Sequence, residues 1–207
     1  SVLGIYELAA NAATVKKEIN LTVGGTATDT IDGANYENDH TDPDTAIATV
    51  TVKDVATQKS TLASEISDGE YYISDGQGNY LTADGTSVTN VSGIESATLW
   101  KITKSGNGYL ISNGDDYLSR SGNYLQLGTT KTVWSYDSTS FYVTESYYFW
   151  TDTYRIYRDN TRWRATSDSA SNYGKAYTQS SDKSVVVTFT GNKVGTTYAT
   201  IGNVRYT

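Results

Sequence analysis

This sequence predicts an all-β fold, and three observations carry that reading. Tyrosine supplies 18 of the 207 residues, and with threonine, valine and isoleucine it suits half-buried pleated surfaces. Eighteen glycines, many of them in Asp-Gly, Asn-Gly and Ser-Gly pairs, provide the positive-φ positions that turns between strands demand. The stretch Ala46-Ile-Ala-Thr-Val-Thr-Val52 alternates with period two, as a strand with one covered face does. With its single proline at position 43, the chain does not read as a proline-rich stalk.

Composition narrows the class further. Apolar residues make up 37% of the chain, enough for one large β domain or two smaller ones. There is no cysteine, so disulfides and thiolate metal sites are excluded. A net charge of −7 argues against general binding to a phosphate backbone, and nucleic acid is not an expected partner. No apolar run reaches membrane-spanning length and no leader or anchor is evident, so the chain reads as an interior slice of a longer exported protein.

Residues 1–15, with Leu3, Leu8 and two alanine pairs, form the one expected helix or connector. Strand signals follow from Glu18 to Thr28 and over Ala46–Val52. They return only near the far end, in Val185-Val-Val-Thr-Phe-Thr-Gly191 and Thr197-Tyr-Ala-Thr-Ile-Gly202. Leu21-Thr-Val-Gly-Gly-Thr26, Ala46-Ile-Ala-Thr-Val50 and Phe189-Thr-Gly-Asn-Lys-Val-Gly-Thr-Thr-Tyr-Ala-Thr-Ile201 resemble the two halves of a bacterial immunoglobulin-like group 2 domain. The resemblance implies a β-sandwich built from residues 16–65 and 182–207, used as a spacer in surface proteins. More than a hundred residues stand where that family has a short hairpin.

The interruption, residues 66–181, has its own period. Tyr80, Tyr117 and Tyr154 are spaced by 37 residues twice. Ala97-Thr-Leu-Trp100 is echoed by Lys131-Thr-Val-Trp134 and, more loosely, by Gly174-Lys-Ala-Tyr177. Three such units of short strands resemble a β-trefoil, the kind shared by ricin-type lectins and fascin modules. The ends of a closed trefoil lie together, so it fits into a hairpin of a host domain.

For catalysis the chain offers little. Its one histidine, His40, sits in a polar segment with no marked nucleophile, and no acid lies in an apolar motif that would raise its pKa. No enzyme activity, cofactor or metal is expected. Asp39, Asp42 and Asp44, and the loop Asp75-Gly-Gln-Gly-Asn79, offer oxygen ligands for calcium without a completed spacing; ordinary turn chemistry accounts for them. A lectin mechanism would need glutamine before the strand tryptophans, but Thr98 and Thr132 stand there, so Trp100 and Trp134 read as core.

The segment Phe149–Arg164 is the most distinctive. It holds four of the chain's six arginines within an acidic protein. Asp159-Asn160 reads as a hairpin turn, and alternation sends Arg155 and Tyr157 outward if Tyr154 and Ile156 face in. Trp150, Arg155, Tyr157, Arg158, Arg162, Trp163 and Arg164 are therefore the expected binding residues, since Trp, Tyr and Arg dominate interface hot spots. The competing account pairs these arginines with nearby acids. The expected function is attachment of a bacterial surface or secreted protein to a host protein or glycoprotein, immunoglobulin first among them. A host-glycan adhesin and a structural stalk unit are the alternatives.

Overall fold

A computed structural model describes residues 14–33, 36 and 39–207, and among them it is all-β, with no helix. The expected N-terminal helix falls largely on residues 1–13, outside the described residues; Val15 already belongs to a strand. In chain order the strands are β1 (Val15–Lys17), β2 (Thr26–Asp32), β3 (His40–Thr41), β4 (Ala48–Leu62), β5 (Gly69–Ser74) and β6 (Asn79–Asp84). There follow β7 (Ser87–Ser92), β8 (Trp100–Ser105), β9 (Gly108–Asn113), β10 (Asp116–Ser121), β11 (Tyr124–Gly128) and β12 (Ser135–Tyr136). The last six are β13 (Phe141–Ser146), β14 (Thr151–Asp159), β15 (Arg162–Thr166), β16 (Lys175–Gly191), β17 (Ala199–Ile201) and β18 (Val204–Tyr206).

Two compact units emerge. One is Gln58–Ser181; the other is assembled from the chain up to Thr57 and from Asp182 onward. The first crossing lies ahead of residue 66, where the sequence pattern placed it, because β4 runs unbroken through Leu62. Strands β4 and β16, which carry the two crossings, pair with each other.

In the discontinuous unit, β2 lies antiparallel to the C-terminal half of β16, from Thr26 opposite Thr190 to Asp32 opposite Ser184. Alternation turns Val185, Val187 and Phe189 inward, each worth roughly 1.5–3 kcal/mol when fully buried. A four-stranded sheet in the order β1-β18-β17-β3 supplies Ala199, Ile201, Val204 and Tyr206 to the same core. Its β17–β18 hairpin turns on Gly202-Asn203, with Gly202 at φ 57°, a conformation glycine adopts without steric cost.

In the continuous unit an antiparallel arrangement surrounds a core of fifteen buried residues. Leu81 on β6, Leu118 on β10 and Ile156 on β14 are fully buried, and across their hairpins stand Asn90, Leu127 and Ala165. The Trp100 indole donates to the Leu81 carbonyl and the Trp134 indole to the Leu118 carbonyl, both at 2.9 Å. At the third place the indole is missing, and the backbone N–H of Gly174 donates to the Ile156 carbonyl at 2.8 Å. A Cβ on Gly174 would lie 2.8 Å from Ile156 Cγ2 and 3.1 Å from the Trp163 ring, so only glycine allows this closure.

The inward positions differ from the tyrosine period. Leu81 and Leu118 follow their tyrosines directly, whereas Ile156 comes two residues after Tyr154. Tyr80 belongs instead to a separate cluster with Tyr72 and Ile94, and Tyr154 packs half-buried against the main core.

Candidate binding site

The arginine-rich hairpin β14–β15 turns on Asn160-Thr161, with Asn160 at φ 57° and Asp159 paired to Arg162. Two of its arginines are committed within the unit. Arg155 forks onto Asp137, Nη1 to Oδ1 at 2.8 Å and Nη2 to Oδ2 at 2.7 Å, and its guanidinium lies 4.7 Å from the Tyr142 ring centre. That pairing holds the Asp137 carboxyl at a pKa of about 2, with backbone N–H donation from Thr139 and Ser140 assisting against the opposing cost of burial.

Arg158 donates from Nε to Asp75 Oδ2 at 2.7 Å, and the Asp75 side chain is wholly buried. Asp75 also accepts from the Gln77 and Asn79 backbone N–H groups and from Asn79 Nδ2, which completes an Asx turn. Asn79 Oδ1 in turn accepts from Asn90 Nδ2, and Asn90 Oδ1 accepts from the Trp163 indole at 3.0 Å. The calcium-like loop is thus a ligand set for an arginine of the same chain.

Trp163 is 3% exposed and belongs to the core, so it is not presented to a partner. Tyr157 is half-buried and bridges to Tyr173. Arg164 lies over the Tyr124 ring, its Nε buried without a hydrogen-bond partner, and Arg162 alone of the hairpin's four arginines is exposed. The expected patch is therefore dispersed. Arg158 and Trp163 serve the interior, because an acid and an amide from distant sequence meet them there, and Arg155 is tied to Asp137 in a partly exposed pair.

The neighbouring hairpin, β13–β14, presents the opposite picture. Ser146 pairs with Thr151, and the Tyr147 N–H donates to the Trp150 carbonyl at 2.7 Å, so Tyr148 and Phe149 form the turn. Tyr148 is 100% exposed, Phe149 94% and Trp150 58%. Tyr147 and Trp150 stack at 5.2 Å across the neck of the turn. Two fully solvated aromatic rings at a hairpin tip cost hydration free energy that folding alone does not recover.

Behind the tip, Tyr147 donates its hydroxyl to Glu145 Oε2 at 2.9 Å, which pushes the Tyr147 ionisation above the ordinary tyrosine range. Glu145 Oε1 pairs with Arg120, whose Nη1 donates to the Gly122 carbonyl at 2.7 Å and whose guanidinium stacks on Tyr154 at 3.7 Å. Of this constellation the sequence reading had singled out Trp150. The signal it passed over was the run Tyr147-Tyr-Phe-Trp150, four aromatics in a row, which no strand can turn to one covered face.

The remaining candidates have local roles. His40 stacks on Tyr36 at 3.9 Å with its Nδ1 against the Tyr36 carbonyl, and Asp42 accepts from the Tyr36 hydroxyl. Asp44 Oδ1 caps the Ala46 N–H. Trp100 and Trp134 are fully buried. Compared with known proteins, the chain matches no family model, no curated protein and no solved structure.

Proposed function

We propose that the chain is a non-enzymatic binding module of a bacterial cell-surface or secreted protein, which docks on a host protein through the aromatic tip Tyr147–Trp150. The observation that carries this reading is the full exposure of Tyr148 and Phe149 on a hairpin whose neck is tied by the Tyr147–Trp150 stack. Rigid aromatics give large contact area at small entropic cost and anchor interfaces for that reason. Immunoglobulin is the leading partner, since its flat β surfaces and abundance in secretions suit a small protruding wedge; this step is an analogy of surface modules.

In this reading the continuous unit is a β-trefoil-like domain inserted into an immunoglobulin-like sandwich. Three features support it: the threefold recurrence of Leu81, Leu118 and Ile156, the paired indole donors, and the two crossings carried by adjacent strands.

The test is capture of pooled serum immunoglobulin by the immobilised chain, with and without enzymatic deglycosylation. The double variant Tyr148→Ser/Phe149→Ser is expected to weaken capture by about 2 kcal/mol or more. Retention by the double variant moves the site elsewhere, and loss of capture on deglycosylation selects the glycan reading.

A further inference from the structure

The aromatic tip is held from behind by a buried arginine, Arg120, acting through Glu145, whose side chain is partly in solvent. The Arg120 side chain is only 7% exposed and its Nε has no hydrogen-bond partner among the described residues, so this arginine is desolvated at a cost that an exposed surface pair does not carry. Its other nitrogens reach two places: the Gly122 carbonyl in the β10–β11 turn and Glu145 at the end of β13. The guanidinium also lies 3.7 Å from the ring centre of Tyr154 on β14, so it holds the base of the same hairpin from a second side. Glu145 then spends its second oxygen on the Tyr147 hydroxyl, and Tyr147 stacks on Trp150. A buried cation is thereby connected, through one carboxylate and one phenol, to the neck of the exposed turn.

We infer that Arg120 and Glu145 are positioning residues for the tip: they fix Tyr147, and through its ring Trp150, in the arrangement that docks, without themselves touching the partner. The inference rests on the proposed reading of the tip as the docking element. Its physical content is preorganisation. A free hairpin carrying four aromatic side chains loses rotamer and backbone freedom on binding, whereas a hairpin already ordered by Arg120–Glu145–Tyr147 has lost it on folding. The chain therefore sets affinity partly from a site outside the interface.

Tryptophan fluorescence gives a direct view of this in the free protein. Trp100 and Trp134 are 0% exposed and Trp163 is 3%, so quenching by acrylamide reports on Trp150 alone. Two variants of the full chain release the tie differently: Glu145→Ala removes the carboxylate, and Tyr147→Phe removes one hydroxyl at an exposed ring and leaves the fold intact. Each is expected to raise the quenching constant roughly 1.7-fold, the ratio of a free indole to one that is 58% exposed. For pooled serum immunoglobulin, each variant is expected to bind roughly fivefold more weakly, the worth of one hydrogen bond. Because Glu145 acts through Tyr147, adding Glu145→Ala to Tyr147→Phe should bring little further loss. Unchanged quenching in both single variants overturns the inference, and so does full additivity in binding, which would place Glu145 in the interface itself. If the unaltered chain fails to bind immunoglobulin, the proposed partner falls, while the quenching result still decides whether Glu145, through Tyr147, positions the tip.

Discussion

Two hairpins share strand β14 and use their side chains in opposite ways. The β14–β15 hairpin is dense in arginine and tryptophan, yet Arg155 and Arg158 are paired to Asp137 and Asp75 and Trp163 is core. The tip of the β13–β14 hairpin, Tyr147–Trp150, carries no arginine and leaves Tyr148 and Phe149 in water. The lesson is that residue type does not decide exposure. An arginine turns inward where an acid from another part of the chain waits for it, and an aromatic ring stays outside where nothing is present to cover it.

Substitutions can sharpen this contrast, and the largest effect belongs to the interior hairpin. Trp163→Ala is expected to cost about 4 kcal/mol, since it opens a cavity beside Gly174 and strands the Asn90 amide. Urea denaturation measures this, and a loss below 1 kcal/mol would mean that the ring is dispensable to the core. Arg158→Ala follows at about 3 kcal/mol, because Asp75 keeps its burial and loses the guanidinium that pairs with it. Equal stability of this variant and the unaltered chain would return Arg158 to the surface.

A smaller effect is expected from acid. Asp137 titrates at about 2 in the folded chain, below the ordinary 3.8. A depressed carboxylate stabilises the fold above its unfolded pKa and loses that contribution as pH falls toward 2. With the Asp137 side chain 37% exposed, screening reduces the contribution to about 1 kcal/mol. Chemical denaturation at pH 5 and pH 2.5 should differ less in Arg155→Gln than in the unaltered chain, and an identical pH response in both would break the assignment. The smallest effect is at the tip: Tyr148→Ser/Phe149→Ser should alter stability by under about 0.5 kcal/mol while altering binding. A clear fall in melting temperature would show that the tip packs on something, and so is no free wedge.

Much of the architecture was legible before the structure. Period-two alternation in Ala46–Val52, the apolar run from Val185 and the glycine-bearing turns marked strands, and the indoles of Trp100 and Trp134 were correctly placed inside. In the third unit Tyr154 and Ile156 were both expected to face inward, and both do: Ile156 is fully buried and Tyr154 packs half-buried against the core. The closure there uses the Gly174 backbone where the other two use an indole, in line with the looser echo of the tryptophan motif at Gly174–Tyr177.

What the sequence determined by itself is the part governed by neighbours in the chain: extended segments, turns, and the alternation that gives each strand a covered face. What the tertiary structure decided is the fate of the long polar and aromatic side chains. Asp75 and Arg158 lie 83 residues apart in the chain, and Trp163 finds its acceptor on Asn90 at a separation of 73. No local pattern encodes such meetings. The free energy of burying a charge or an indole N–H depends on whether a partner is brought to it, and only the folded chain brings one.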